Sequence, residues 1–383
     1  MYFKPGHTAL PLLFIVALPM GCIESYTLEG GGGDQHFLVV DGFIDATNKV
    51  CTVKLSRSTS LNDDNAPEGE TGAVVFITSE DGSGFQVNEV VPDSPKDETG
   101  VYTADGIPVN VGEVYQLHVT LSDGSQYESD PVRIEQAGQI ESLDWSAESD
   151  GLKVRVSTVP NTNSTNFYRW RFAETFEYRA PLTSSFVMSD GWPRLRKADE
   201  RITTCYRRDP AYNILIGSSQ DLSVNVIRNY IVQALPRTTL KLSMRYHLHL
   251  WQYALTEDAY TYWLNLYKTT ESTGGLFDPM PGQVIGNIKS VTDPSEVVVG
   301  YFSGSTVEEK TIWIGRSELP LGYLQYSQGY CPIDTLDADQ VQHLLEGAPL
   351  IDQYLGRYLV SSPTCLDCRI FGGGTTTKPE YWP

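Results

Sequence analysis

From Phe37 to Ile134 the sequence consists almost entirely of short extended segments. FLVVDGFI (37–44), CTVKLSRS (51–58), AVVFITS (73–79), FQVNEVV (85–91), VYTAD (101–105), VYQLHVTL (114–121) and YESDPVRI (127–134) are rich in β-branched and aromatic residues, with no helical stretch between them. Gly82 after Glu80-Asp81, and Gly124 after Asp123, supply the positive φ that tight hairpins need. In VYQLHVTL the apolar Val114, Leu117, Val119 and Leu121 nearly alternate with polar residues, as in a strand with one wet face. Seven such strands in about 100 residues predict an immunoglobulin-like β-sandwich over 36–136, bounded by Gln136-Ala137-Gly138.

A second strand series begins at Ile140: ESLDWSA (141–147), GLKVRVSTV (151–159), NFYRWRFAETFEYRA (166–180), NYIVQAL (229–235), LKLSMRYHLHLWQYAL (240–255), EVVVGYFSGST (296–306) and TIWIGR (311–316). The period changes inside it. Thr256 suits an N-cap, Glu257 and Asp258 are first-turn acids, and Ala259, Tyr262, Trp263, Leu266 and Tyr267 recur at helical spacing. One amphipathic helix is predicted over about 257–270, closed by Gly274-Gly275. A second short helix is expected over about 337–346, with Val341, Leu344 and Leu345 on one face, while the tail CLDCRIFGGGTTTKPEYWP reads as irregular. The expected fold is mainly β: the first sandwich, then a second, larger β-sandwich domain over 137–383 with one or two short α-helices.

The first residues suggest an address. Lys4 precedes an apolar run from Ala9 to Leu18, about half of the ~20 residues that span a bilayer but suited to the apolar region of an export signal. Gly21 before Cys22 resembles a lipoprotein signal-peptidase site, although Pro19 stands where that consensus places Leu. Residues 1–21 are expected to be a lipoprotein signal peptide, with Cys22 acylated and inserted in a lipid bilayer at ~0.8 kcal/mol per buried CH₂. Residues 22–35, containing the run Gly30 to Gly33, read as a flexible tether on the order of 20 Å in root-mean-square length.

Forty-eight acidic and 28 basic side chains give a formal net charge of −20. Such a surface repels phosphate backbones and no Lys/Arg cluster offers an exception, so nucleic-acid binding is excluded. No Gly-x-Ser-x-Gly, His-Glu-x-x-His or phosphate-binding glycine loop occurs. No catalytic residue and no cofactor are assigned, and the chain reads as a non-enzyme. With 48 carboxylates some pair always lies at glycosidase spacing, so that argument decides nothing. His247 and His249 sit two apart on a predicted strand and project from one face, which makes them weak metal candidates; paired sheet histidines are more often polar surface residues, and no metal site is expected. Asp63, Asp64, Asn65, Glu68 and Glu70 crowd a polar loop without the spacing of a calcium loop.

In an exported protein Cys205, Cys331, Cys365 and Cys368 can close disulfides in three pairings. The preferred arrangement has Cys205 and Cys331 each reaching one member of Cys365-Leu-Asp-Cys368 and pinning the tail to the second domain. Zinc on the four thiolates is the sharper alternative but lacks a second close pair, and a redox-active pair lacks a following helix signal. Cys51, within a strand pattern, reads as a buried free thiol. Aromatic density marks the ligand or partner candidates. Tyr168 and Trp170 share even positions with Phe172, Phe176 and Tyr178, and Trp251 and Tyr253 lie in a second concentration. Each group is either core or an exposed stacking platform for a sugar, a peptide or a partner protein. Phe277, in the loop 274–287, is a third candidate.

LVVDGFI, VKLSRS, TGVYTADG, VGEVYQLHVTLSDGSQYES, FYRWRF, RYHLHLWQYALTEDAYTYWLNLYKTTESTGGLFDPMPGQVIGNI, VVVGYF and CLDCRIFGGGTTTKPEYW follow one another between about Phe37 and Trp382. In this order they resemble the Bacteroidota domain-of-unknown-function family "four-two-four-nine", which consists of envelope lipoproteins; Cys51 departs from its usual pattern. Members are typically encoded beside TonB-dependent transporters. The resemblance therefore implies an accessory or ligand-capture lipoprotein at the outer-membrane surface, partnered with a TonB-dependent outer-membrane β-barrel. It carries over no catalytic residue. An envelope hydrolase acting on glycans or peptides, and a structural or adhesive surface protein, stand as alternatives.

Overall fold

Alternation sets the inner face of every strand in the first sandwich. A computed structural model describes residues 36–59, 67–94, 98–160, 165–270, 284–323 and 329–383. The first half forms β1 (Leu38–Asp45), β2 (Val50–Arg57), β3 (Val74–Ser79), β4 (Gly84–Glu89), β5 (Val101–Asp105), β6 (Val114–Thr120), β7 (Gln126–Ser129) and β8 (Val132–Arg133). Leu38, Val40 and Ile44 of β1, Cys51, Val53 and Leu55 of β2, and Tyr115, Leu117 and Val119 of β6 point into one core. Tyr115 takes the inward place that the sequence pattern gave to Val114. Pro131 has no N–H to offer the ladder, and it divides the expected strand 127–134 into β7 and β8.

The second half supplies β9 (Ile140–Ala147), β10 (Gly151–Thr158), β11 (Phe167–Arg179), β12 (Phe186–Ser189), β13 (Trp192–Leu195), β14 (Thr204–Pro210), β15 (Leu215–Ser218), β16 (Tyr230–Pro236) and β17 (Arg245–Leu255). Helix α1 (Glu257–Thr270) follows, with Thr256 accepting from the Ala259 N–H, and then β18 (Ile288–Ser290), β19 (Val298–Ser305) and β20 (Val307–Gly315). One layer has the order β14-β11-β17-β20, with β15 also on β11; the other is β16-β10-β9. Between them lie Leu152, Val154, Val156, Tyr168, Trp170, Phe172, Phe176, Leu248 and Leu250. The buried Glu174 carboxylate accepts from Tyr246 Oη (2.7 Å), Gln233 Nε2 (2.8 Å) and Lys241 Nζ (2.8 Å), which offsets its desolvation.

The division at residue 136 does not hold for the later strands. β19 pairs in parallel with β1 from Leu38↔Val298 to Asp45↔Ser305, and β18 pairs with β7. A sheet ending at β1 would leave a row of bare N–H and C=O groups, and β19 covers it. Gly300 permits the approach: with φ +114°, a Cβ there would fall 1.9 Å from the Val40 carbonyl oxygen. After β19 the chain passes straight into β20 beside β17, so residues 37–383 make one compact unit.

The C-terminal region contains β21 (Asp334–Leu336), α2 (Ala338–Val341), β22 (Pro349–Leu350), β23 (Asp352–Tyr354), β24 (Arg357–Val360), α3 (Pro363–Leu366) and α4 (Cys368–Gly372). The helix expected over 337–346 is thus a single turn capped by Asp337. The tail expected to be irregular holds two helical turns, the second capped by Asp367 and stopped by Gly373 in the left-handed region. Disulfides join Cys205 to Cys368 and Cys331 to Cys365, so these thiols form no zinc site. Gly372 and Gly374 lie against the Tyr178 ring, whose hydroxyl donates to the Cys368 carbonyl (2.9 Å) and accepts from the Gly374 N–H (2.7 Å). Among the described residues no helix is long and apolar enough to cross a membrane.

Candidate functional site

The two faces of β11 have different fates. Its even positions meet the β16-β10-β9 layer, and Tyr168 and Trp170 are completely buried there. Trp170 Nε1 donates to Gln252 Oε1 (2.8 Å) and its ring stacks on Tyr230 at 4.4 Å. The platform expectation is therefore overturned for these two residues: packing a second sheet on that face leaves no room for a ligand. Odd positions point the other way.

On that outer face the register sets Thr175 beside His247, Ala173 beside His249, Arg171 beside Trp251 and Arg169 beside Tyr253. From the opposite side β20 adds Trp313 at His247, Thr311 at His249 and Glu309 at Trp251. The result is a row of rings His247, His249, Trp251 and Tyr253 along one face of β17, about 20 Å long at ~3.4 Å per residue. His249 stacks on Trp251 at 4.1 Å and its Nε2 meets Glu309 Oε2 at 2.7 Å. Trp251 and Tyr253 are each half-buried, with part of each side chain open to solvent.

At the His247 end the row enters a cleft of about 450 Å³, lined by Ala173, Thr175, Arg208, His247, His249, Thr311, Trp313 and Tyr381. The C-terminal tail forms part of its wall. Tyr381 shares a hydrogen bond with Thr175 Oγ1 (2.8 Å), and the neighbouring Trp382 donates from Nε1 to Glu177 (3.2 Å) and meets Trp313 edge-on at 4.8 Å. His247 sits 4.2 Å from the Trp313 ring and 5.3 Å from Tyr381.

Burial, and secondarily the charge of His249, hold His247 down at about 4. Above pH 6.5 the imidazole is neutral in both folded and unfolded chains. As the pH falls towards 4 the unfolded chain takes up a proton that the folded one refuses, so stability is lost across that window. We expect a loss of up to about 3 kcal/mol in urea titrations between those limits, absent from His247→Phe. A wild-type histidine titrating near its ordinary value by NMR would contradict the assignment.

His247 and His249 are the weak metal candidates of the sequence. Their rings lie 6.5 Å apart, and among the described residues no group of three or more His, Cys, Asp and Glu side chains is placed to hold an ion. His118 is engaged elsewhere, by Thr78 and Glu128. Asp63, Asp64 and Asn65 lie outside the described residues, as do Phe277, Cys22, the signal segment 1–21 and the tether through Gln35; Glu70 is paired with Arg57 at 2.7 Å. Cys51 is a buried free thiol, pushed up to about 12 by burial. Trp313, Tyr381, Arg169 and Arg171 were missed as site residues. The even–odd alternation of FYRWRFAETFEYR separates the two arginines from the core rings, whereas nothing local in the tail announces where Tyr381 will lie.

No curated protein matches this chain. Among solved structures, chitinase ChiA74 from Bacillus thuringiensis is similar at 14% identity with a TM-score of 0.15, over 49% of this chain and 30% of that one, a likeness too slight to define a fold or an activity. The family model described as "Domain of unknown function (DUF4249)" matches residues 23–311, and the chain belongs to that family.

Proposed function

We propose that this chain is a non-enzymatic envelope lipoprotein that captures an oligosaccharide or peptide on the outer face of β17, as an accessory subunit of a TonB-dependent outer-membrane β-barrel. The observation that carries the reading is the row His249, Trp251 and Tyr253, three partly open rings held in register on a rigid sheet. Ring faces fixed by a strand stack on a ligand at little entropic cost. The adjoining cleft is lined by hydroxyls, imidazoles, an arginine and aromatic rings rather than by a carboxylate pair, which supports binding over hydrolysis. The lipid anchor rests on Cys22 and the apolar run before it, and the transporter partner on the family likeness.

Two measurements test this function. Detergent pull-down of the natively expressed protein should recover a TonB-dependent β-barrel; repeated crosslinking that recovers none removes the accessory role. Cys22→Ala should shift the protein from the membrane fraction to the soluble one, and retention of the unlipidated variant removes the anchor.

A further inference from the structure

Arg169 and Arg171 stand on the outer face of β11, in register with Tyr253 and Trp251. Arg169 holds its guanidinium 3.4 Å from the ring centre of Trp263, a residue of α1 whose buried indole N–H has no hydrogen-bond partner among the described residues. The two arginines share a cleft of about 200 Å³ with Trp263, Tyr253, Lys54 and Asp41. Lys54 is taken by Glu98 at 2.5 Å. Neither guanidinium makes a hydrogen bond or an ion pair with another described residue, in a chain with 48 carboxylates to choose from, while the backbones of both lie in the β11 ladder. Asp41 acts on Arg169 only from beyond ion-pair reach.

A guanidinium offers five N–H groups and does not shed its proton at neutral pH. Burial and the charge of Arg171 hold Arg169 down at about 10, which still leaves it charged. Half-buried at the cleft and without a carboxylate partner among the described residues, it keeps N–H groups free for an acceptor that a ligand could bring. A carboxylate fits the planar fork in two parallel hydrogen bonds. The backbone of β17 is occupied on both sides, by β11 and by β20, so this face offers no main-chain ladder to an extended peptide. It offers ring faces and guanidinium groups, which suit a sugar chain bearing acid groups.

We propose that Arg169 and Arg171, beside Trp263, form a subsite for the carboxylate of a uronic-acid ring at one end of an oligosaccharide lying along β17. This deepens the reading of β17 as a ligand surface and rests on it. The probe is trigalacturonic acid, with its methyl-esterified form as the uncharged counterpart, titrated calorimetrically into the full-length protein at low salt. The acid should bind at least tenfold more tightly than the ester, and raised salt should narrow the gap. Arg171→Gln, at an exposed position, should shrink the preference without changing the melting temperature, and Arg169→Gln should abolish it. Asp41→Asn should strengthen binding of the acid by removing a competing charge. Equal binding of acid and ester, abolished in both by Trp251→Ala, overturns the subsite while leaving the β17 surface standing. Absence of binding to either form overturns the subsite, as does weakened acid binding in an Asp41→Asn variant that melts at the wild-type temperature. Arginine-dependent binding of tetraglutamate without binding of the trisaccharide overturns the sugar assignment.

Discussion

Converting Cys205 and Cys368 together to alanine should lower the unfolding free energy by about 5 kcal/mol. The bond closes a separation of 163 residues, and loop-closure entropy grows with the logarithm of loop length. Losing Cys331–Cys365, which closes 34 residues, should cost about 3.5 kcal/mol. The larger effect has a local signature. Cys368 begins α4, and the chain from there to Trp382 reaches the cleft, so release of this end uncovers His247. Its imidazole should then titrate closer to its ordinary value, which an NMR pH series reads directly. Urea unfolding of the two double variants checks the order of the losses. A loss below about 1 kcal/mol for the Cys205/Cys368 pair would mean that Tyr178 and its hydrogen bonds to the tail suffice without the covalent link.

Trp170→Ala should destabilise the protein by about 4–5 kcal/mol, the upper part of the range for truncating a buried aromatic side chain. It removes a fully buried ring stacked on Tyr230 and leaves Gln252 Oε1 without its donor in a dry layer. Trp251→Ala, on the neighbouring strand but the opposite face, should cost about 1 kcal/mol while abolishing ligand capture. Denaturation and binding measured on both variants separate core from surface. Similar stability losses for the two would contradict the assignment of faces.

Much of the architecture can be read directly from residue order. Helix α1 lies where the Thr256 cap and the spacing of Ala259, Tyr262 and Leu266 place it, because local spacing and capping act within a few turns. Strand periodicity likewise exposes two faces on β11, yet it does not say which face another sheet will cover. That depends on β10 and β16, which lie far off in the sequence, and for this reason Tyr168 and Trp170 looked like surface candidates. β12 to β15 were not foreseen: they are four to seven residues long, and WPRL and TCYRRDP alternate poorly. The return of Val298–Ser305 to β1 has no local signal either, because parallel pairing across so long a separation is decided by the uncovered edge rather than by the strand itself.

That return has a consequence for biogenesis. Leu38–Asp45 leaves the ribosome long before Val298 is made, and at roughly 5–20 residues per second the delay is tens of seconds. Throughout it the nascent N-terminal half has one sticky, unsealed border, open to wrong partners. A translocation route that keeps the polypeptide unfolded until nearly all of it has been delivered would spare it that exposure, whereas a ribosome-bound fragment ending before residue 298 would invite aggregation.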